Sequence, residues 1–223
     1  MLRSGALNES TSELALKKIE RNAEVQQNLI DDLLDVSRIV TGKFRVDPHP
    51  INLVSVIEDG IDLVASEAQA RKIQLHVTLE RKGIQAHGDA NRLRQLIWNL
   101  LSNAIKFTPE GGSVRIDLTS IDREAQITVS DTGCGISAEV LPYIFERFRQ
   151  GESARQLGGL GLGLAIVRHI AEMHGGTVEA ASKGEGQGAS FTVKLPLIAE
   201  ERLDILPEVV EADQALKFQV SGS

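Results

Sequence analysis

The chain has 223 residues, 42% of them hydrophobic, and a formal net charge of -7. That is enough apolar material for an ordinary core, and the acidic balance excludes a protein that coats nucleic acid through a general positive field. A single cysteine, Cys134, rules out an intrachain disulfide and points to a reducing compartment, the cytoplasm by default. No stretch reaches the roughly 18 apolar residues of a membrane helix, and the opening MLRSGALNES lacks a signal-peptide core. No direct membrane insertion is expected.

Residues 12–41 contain neither Gly nor Pro, and Ile19, Ala23, Gln26, Ile30, Leu33, Ser37 and Val40 recur at alternating spacings of four and three. This heptad seam predicts a long helix, widened by Leu29, Leu34 and Val36 so that it needs partners on more than one side. Gly42 ends it. The two prolines of DPHPIN (47–52) predict an extended link and a domain boundary. Asn52 is placed to cap a helix through about Arg71, after which Leu75, Val77 and Leu79 alternate as a strand. Asp89 is placed to cap a helix through Phe107.

Val114, Ile116 and Leu118, then Ile127 and Val129, predict a hairpin. A short helix around AEVLPYIFERF, a polar loop, a helix from about Leu162 to His174 and two final strands follow. This order predicts an α+β fold, a two-layer sandwich with helices on one face of a mostly antiparallel sheet. The tail after Pro196 has no clear period and reads as linker or disordered chain. The domains expected are 1–46 (helical), 47–198 (the sandwich) and 199–223 (tail).

Three polar clusters carry the chemistry. In GGLGLGLA (158–165), Gly159, Gly161 and Gly163 run into a helix. A dinucleotide turn would need a preceding strand, and a GxxxxGK[ST] loop a lysine and a hydroxyl that are missing. What remains is unshielded backbone N–H groups at a helix N-terminus, which suit an anion; read alone, the pattern fits a tight packing turn as well. On the helix 90–107, Gln95, Asn99, Asn103 and Lys106 share one stripe. Two asparagines a turn apart are poor helix formers; they fit a solvated face, or oxygens for a hard cation such as Mg2+ with a lysine for phosphate. In SDTGCGI (130–136), Asp131 ends a strand at a glycine turn and can accept a hydrogen bond from an exocyclic amine such as that of adenine.

Taken together, NLLSNAIKFTP, DTGCG, IFERF, GGLGLGLAIVRHIAEMHGG and GQGASFTVKLP stand in one order. Over residues 50–197 the sequence resembles the catalytic and ATP-binding domain of sensor histidine kinases, within the wider GHKL group of ATPases and kinases. The resemblance implies ATP and Mg2+ as cofactors, with Asn103 as the magnesium ligand and Asn99 beside it. It implies Lys106 on phosphate, Phe107 bordering adenine or ribose, and Asp131 on the adenine amine. Gly133, Gly135 and Ile136 would shape the base pocket, and Thr192 would belong to the ATP site from the last strand. Gly159, Leu160, Gly161, Leu162 and Gly163 would close on the phosphates. Residues 136–158 would form a lid fastened by Phe145 and Phe148.

The gyrase and chaperone members of the group carry a glutamate where this chain has Asn99, and an amide is no general base. The resemblance therefore favours phosphoryl transfer over hydrolysis. The helix of 12–41 resembles the second helix of the family's dimerisation hairpin, implying a homodimer through its seam. None of the five histidines (49, 76, 87, 169 and 174) has the family's phosphoacceptor setting. The expected partners are a histidine-containing phosphoacceptor domain and a response regulator receiver domain. A nucleotide-responsive binding module and a slow ATPase are the competing readings.

Overall fold

Freedom from Gly and Pro lets Glu9–Val40 form a 32-residue helix, α1, in the computed structural model, which describes residues 9–81, 84–151 and 160–198. The expected tail 199–223 and the glycine Gly159 lie outside the described residues. Gly42, at φ +65°, ends α1, and Lys43 and Phe44 donate back to the Arg38 carbonyl. This reversal folds Phe44 against its own helix and the layer below.

The proline link is more structured than its sequence predicts. His49–Asn52 (β1) pairs antiparallel with Gln85–Gly88 (β3), Pro50 lying opposite His87. A two-stranded ribbon tolerates a residue without an N–H. Asn52 then caps α2 (Leu53–Ala70), its side chain accepting from Val54 N at 2.9 Å. Asp89 caps α3 (Ala90–Phe107), accepting from Asn91 N and Arg92 N at 3.0 and 3.2 Å. Both caps fall where the sequence puts them.

The sheet is formed by β2 (Gln74–Leu79), β4 (Ser113–Ile121), β5 (Glu124–Asp131), β6 (Thr177–Ala181) and β7 (Ser190–Pro196). Its order is β2-β4-β5-β7-β6, with β2 parallel to β4 and the other pairs antiparallel. Alternation sends Val114, Ile116, Leu118, Ile127, Val129, Phe191, Val193 and Leu195 to the helix side, where all are buried. Against them pack Leu96, Leu100 and Ile105 of α3 and Ile166 and Ile170 of α4 (Gly163–Met173). Each such side chain contributes about 1.5–3 kcal/mol through its removal from water. The opposite face is polar, with Thr128 and Thr192 hydroxyls 3.2 Å apart and those of Ser130 and Ser190 2.9 Å apart. This is the expected two-layer sandwich. The helix expected around AEVLPYIFERF shortens to one 3-10 turn at Leu141–Tyr143, where Pro142 leaves no room for an interior helical bond.

The ring of buried His174 donates from Nδ1 to the Ile170 carbonyl (2.7 Å) and accepts Asp89 N–H at Nε2 (2.9 Å). It ties the end of α4 to the start of α3.

The C-terminal end of α1 is fastened to the helix layer by a network that no local pattern announces. Asp35, buried, accepts at Oδ2 from Arg92 (2.8 Å) and Gln95 (2.9 Å) and at Oδ1 from Arg38 (3.3 Å). The Arg92 guanidinium also lies 4.4 Å over the Phe44 ring, whose edge meets His169 at 5.0 Å. Val36 is buried beside them, whereas Ile19, Ile30, Leu33 and Val40 of the heptad seam are exposed, as is Leu34.

Removing Asp35 would leave Arg92 half-desolvated without its carboxylate. We expect Asp35→Ala to cost about 2–3 kcal/mol, below the value for a fully buried pair because Gln95 still accepts from Arg92. Hydrogen exchange should show α1 amides near Asp35 losing protection while those of β5 and β7 keep theirs.

Candidate nucleotide site

A cleft of about 1930 Å³ opens between the helix layer, the Asp131 turn and the chain leading into α4, with α1 along one side. It is larger than a small-molecule pocket needs, because it continues beneath α1. Asn99, Asn103, Lys106, Phe107, Asp131, Gly135, Ile136, Leu160, Gly161, Leu162 and Gly163 all border it. The three polar clusters of the sequence thus meet in one space.

One end of the cleft is built by α3 and α4. Asn99 is 4% exposed, and its Nδ2 is the one buried side-chain polar atom without a hydrogen bond among the described residues. A buried donor left unpaired costs about 1–3 kcal/mol, so this amide calls for an acceptor in the cleft. Facing it, α4 begins at Gly163 with no side-chain cap from Leu162, leaving the first-turn N–H groups for an anion. A Cβ at Gly163 would sit 2.8 Å from Asn99 Oδ1, so only glycine lets the α4 terminus approach the asparagine stripe this closely. Lys106 is half-buried, its ammonium 5.3 Å from the Phe107 ring, and burial holds its pKa below the usual lysine value. Neutralising partners such as phosphate oxygens would oppose that shift.

At the other end Asp131 Oδ1 accepts from Gly133 N (2.8 Å) and Ala189 N (3.3 Å). Both bonds use one oxygen and leave Oδ2 for a ligand. Burial raises the Asp131 pKa, and the two backbone bonds offset part of that rise. Gly133 is buried in the turn rather than lining the cleft; its N–H serves to fix the carboxylate.

Two further expectations need correction. Thr192 lies on the polar face of the sheet beside Thr128, away from the cleft, because Phe191 and Val193 take the inward positions; Ala189 and Phe191 form the wall instead. Of the lid phenylalanines, Phe145 packs edge-on against Phe191 with centroids 6.3 Å apart, but Phe148 is 62% exposed. It is the backbone of Phe148, not its ring, that contacts the chain leading into α4, its N–H donating to Gly161 O at 2.9 Å.

Sequence reasoning missed the acidic contribution of α1. Asp32 borders the cleft, and its pKa is pushed up to about 6 by burial, then by Asp35 and Asp31. Its folded-state pKa lies above the unfolded value of 3.8, so its ionisation costs stability above about pH 6 and costs nothing below about pH 4. We expect Asp32→Asn to stabilise the protein by on the order of 1 kcal/mol at pH 8, after allowance for its partial exposure, and to be neutral at pH 4. Urea unfolding at the two pH values measures the difference.

The hybrid signal transduction histidine kinase D of Dictyostelium discoideum is 38% identical over 85% of this chain, which spans 14% of that protein's length. The structure of the mycobacterial sensor histidine kinase MprB superposes with a TM-score of 0.62 at 32% identity, covering 67% of this chain and 98% of that one. Full-length ShkA in complex with AMPPNP gives 0.70 at 27% identity over 88% of this chain and 41% of its own. No helix among the described residues is long and apolar enough to cross a membrane. Residues 88–199, half of the chain, match the family described as histidine kinase-, DNA gyrase B- and HSP90-like ATPases, and the protein belongs to that family.

Proposed function

We propose that the cleft binds Mg2+·ATP and that the chain is the ATP-binding catalytic module of a cytoplasmic sensor histidine kinase. Its γ-phosphate acceptor is a histidine on another chain or on a segment outside this sequence, and a response regulator receiver domain is the onward partner. The observation that carries this reading is the convergence on one cleft of an orphaned amide, an uncapped helix terminus and a half-buried carboxylate. A nucleoside triphosphate satisfies all three at once. The kinases named above support the reading, and ShkA among them is seen in complex with AMPPNP, an ATP analogue.

The donor set fits Mg2+. Among the described residues no group of three His, Cys, Asp or Glu makes a protein cage, and Mg2+ usually takes one or two protein oxygens plus phosphates and waters. Asn103 supplies the amide oxygen, with Asn99 beside it; the ion, when bound, offsets charge on the phosphate oxygens. Asn99 cannot take a proton from water, which favours transfer over hydrolysis. The leucines, isoleucines and valine exposed along α1 support a homodimer through that helix.

Calorimetry tests the site. Wild type should bind Mg2+·ATP; Asp131→Asn should weaken binding about tenfold or more, as expected for a lost charge-assisted bond, and Asn103→Ala, which removes the oxygen proposed for Mg2+, should weaken it as well. Because burial raises the Asp131 pKa, wild-type affinity should fall as pH drops toward the upper carboxylate range, a dependence that Asp131→Asn should lack. Equal binding by all three proteins would sink the site assignment. For the activity, labelled ATP should leave the chain itself without stable phosphohistidine and should label an added acceptor hairpin. Phosphohistidine on this chain would overturn the assignment of an outside acceptor.

A further inference from the structure

The turn that carries Asp131 does not stand alone. It is held by the β6–β7 loop, and one side chain of that loop makes a set of bonds the sequence gives no hint of. Ser182 Oγ donates to Gly188 O at 2.7 Å and accepts from Ile136 N at 3.0 Å and Gly184 N at 3.3 Å. A hydroxyl has one hydrogen and two lone pairs, and here all three are used. One atom therefore closes its own loop, through Gly184 and Gly188, and grips the far end of the base turn at Ile136.

Besides the bond from Ala189 N to the Asp131 carboxylate, the other ties between the two segments are backbone bonds. Gly186 N donates to Cys134 O (2.7 Å), Gly188 N to Gly133 O (3.1 Å) and Asp131 N to Ala189 O (2.9 Å). Each engages the turn at or before Cys134. Ser182 is the one loop side chain, among the described bonds, that reaches beyond it. Ser182 does not border the cleft, whereas Asp131, Gly135, Ile136 and Ala189 do.

We propose that Ser182 is a positioning residue for the base end of the nucleotide site: by holding Ile136 to Gly188 it sets the gap between Asp131 Oδ2 and the turn into which an adenine fits. This rests on the ATP reading above. Loss of the hydroxyl frees the Ile136 N–H and lets the turn drift from the carboxylate. The cost falls on a ligand recognised by its exocyclic amine and not on one recognised by its phosphates.

The test is calorimetry on the full chain with Mg2+ and three ligands, ATP, GTP and inorganic tripolyphosphate, for wild type, Ser182→Ala and Ser182→Thr. The expected result is a five- to tenfold loss of ATP affinity in Ser182→Ala, a smaller ATP-over-GTP preference, unchanged tripolyphosphate affinity, and recovery in Ser182→Thr, which keeps the hydroxyl. Wild-type ATP affinity and preference in Ser182→Ala would overturn the proposal, and so would an equal loss of ATP and tripolyphosphate, which marks general loosening. Failure of wild type to bind ATP at all would instead overturn the nucleotide reading on which the proposal stands.

Discussion

Two strips of backbone touch at the Asp131 end of the cleft with no room between them for a methyl group. A Cβ on Gly135 would lie 2.0 Å from Gly184 O, and one on Gly188 the same distance from Asp131 O; both residues also have positive φ. No side chain could be accommodated at either point without separating the strips. The position of the Asp131 carboxylate depends on this contact, because one of its two backbone bonds comes from the loop residue Ala189. A pocket of this kind is defined by main chain, and its shape is set before any side chain is chosen.

The same end of the site is coupled to the helix layer through the last turn of α3. Phe107 O accepts from Cys134 N at 3.2 Å, so the helix that carries the asparagines ends on the turn that carries the aspartate. Terminal carbonyls of a helix need outside donors; Arg71, at the end of α2, supplies them to Ile105 O and Thr108 O. The buried Thr108 hydroxyl closes on Ala104 O at 2.6 Å. The Asn99 and Asp131 ends of the cleft are thus parts of one hydrogen-bonded frame, and α3 is its spine.

How much of this the sequence announces follows from the range of each interaction. The caps at Asn52 and Asp89 act over two or three residues, and the alternation of β4, β5 and β7 is a property of each strand alone, so both can be read directly. The Thr192 error had a readable remedy: with Phe191, Val193 and Leu195 inward, a period of two puts Thr192 outward. The β1–β3 ribbon offered little, since four residues with a proline resemble any link. Asp35 with Arg92, and Ser182 with Ile136, join positions 57 and 46 residues apart, and neither pair shows a local period. The Asn99 orphan stands between these cases. Its unusual residue type was legible, while its lack of a partner is a fact of packing.

The Asp35 attachment gives α1 a mechanical character. At about 1.5 Å per residue, a helix of 32 residues is about 48 Å long, and its anchor lies near the C-terminal end. The arm from Glu9 to Asp35 is therefore about 39 Å, so a tilt of about 5° at the anchor swings the far end through about 3 Å. Run in reverse, a displacement of several ångströms at the start of the helix is geared down to fractions of an ångström at Gln95, one turn from Asn99 on the same face of α3. Long travel at one end becomes fine adjustment at the other.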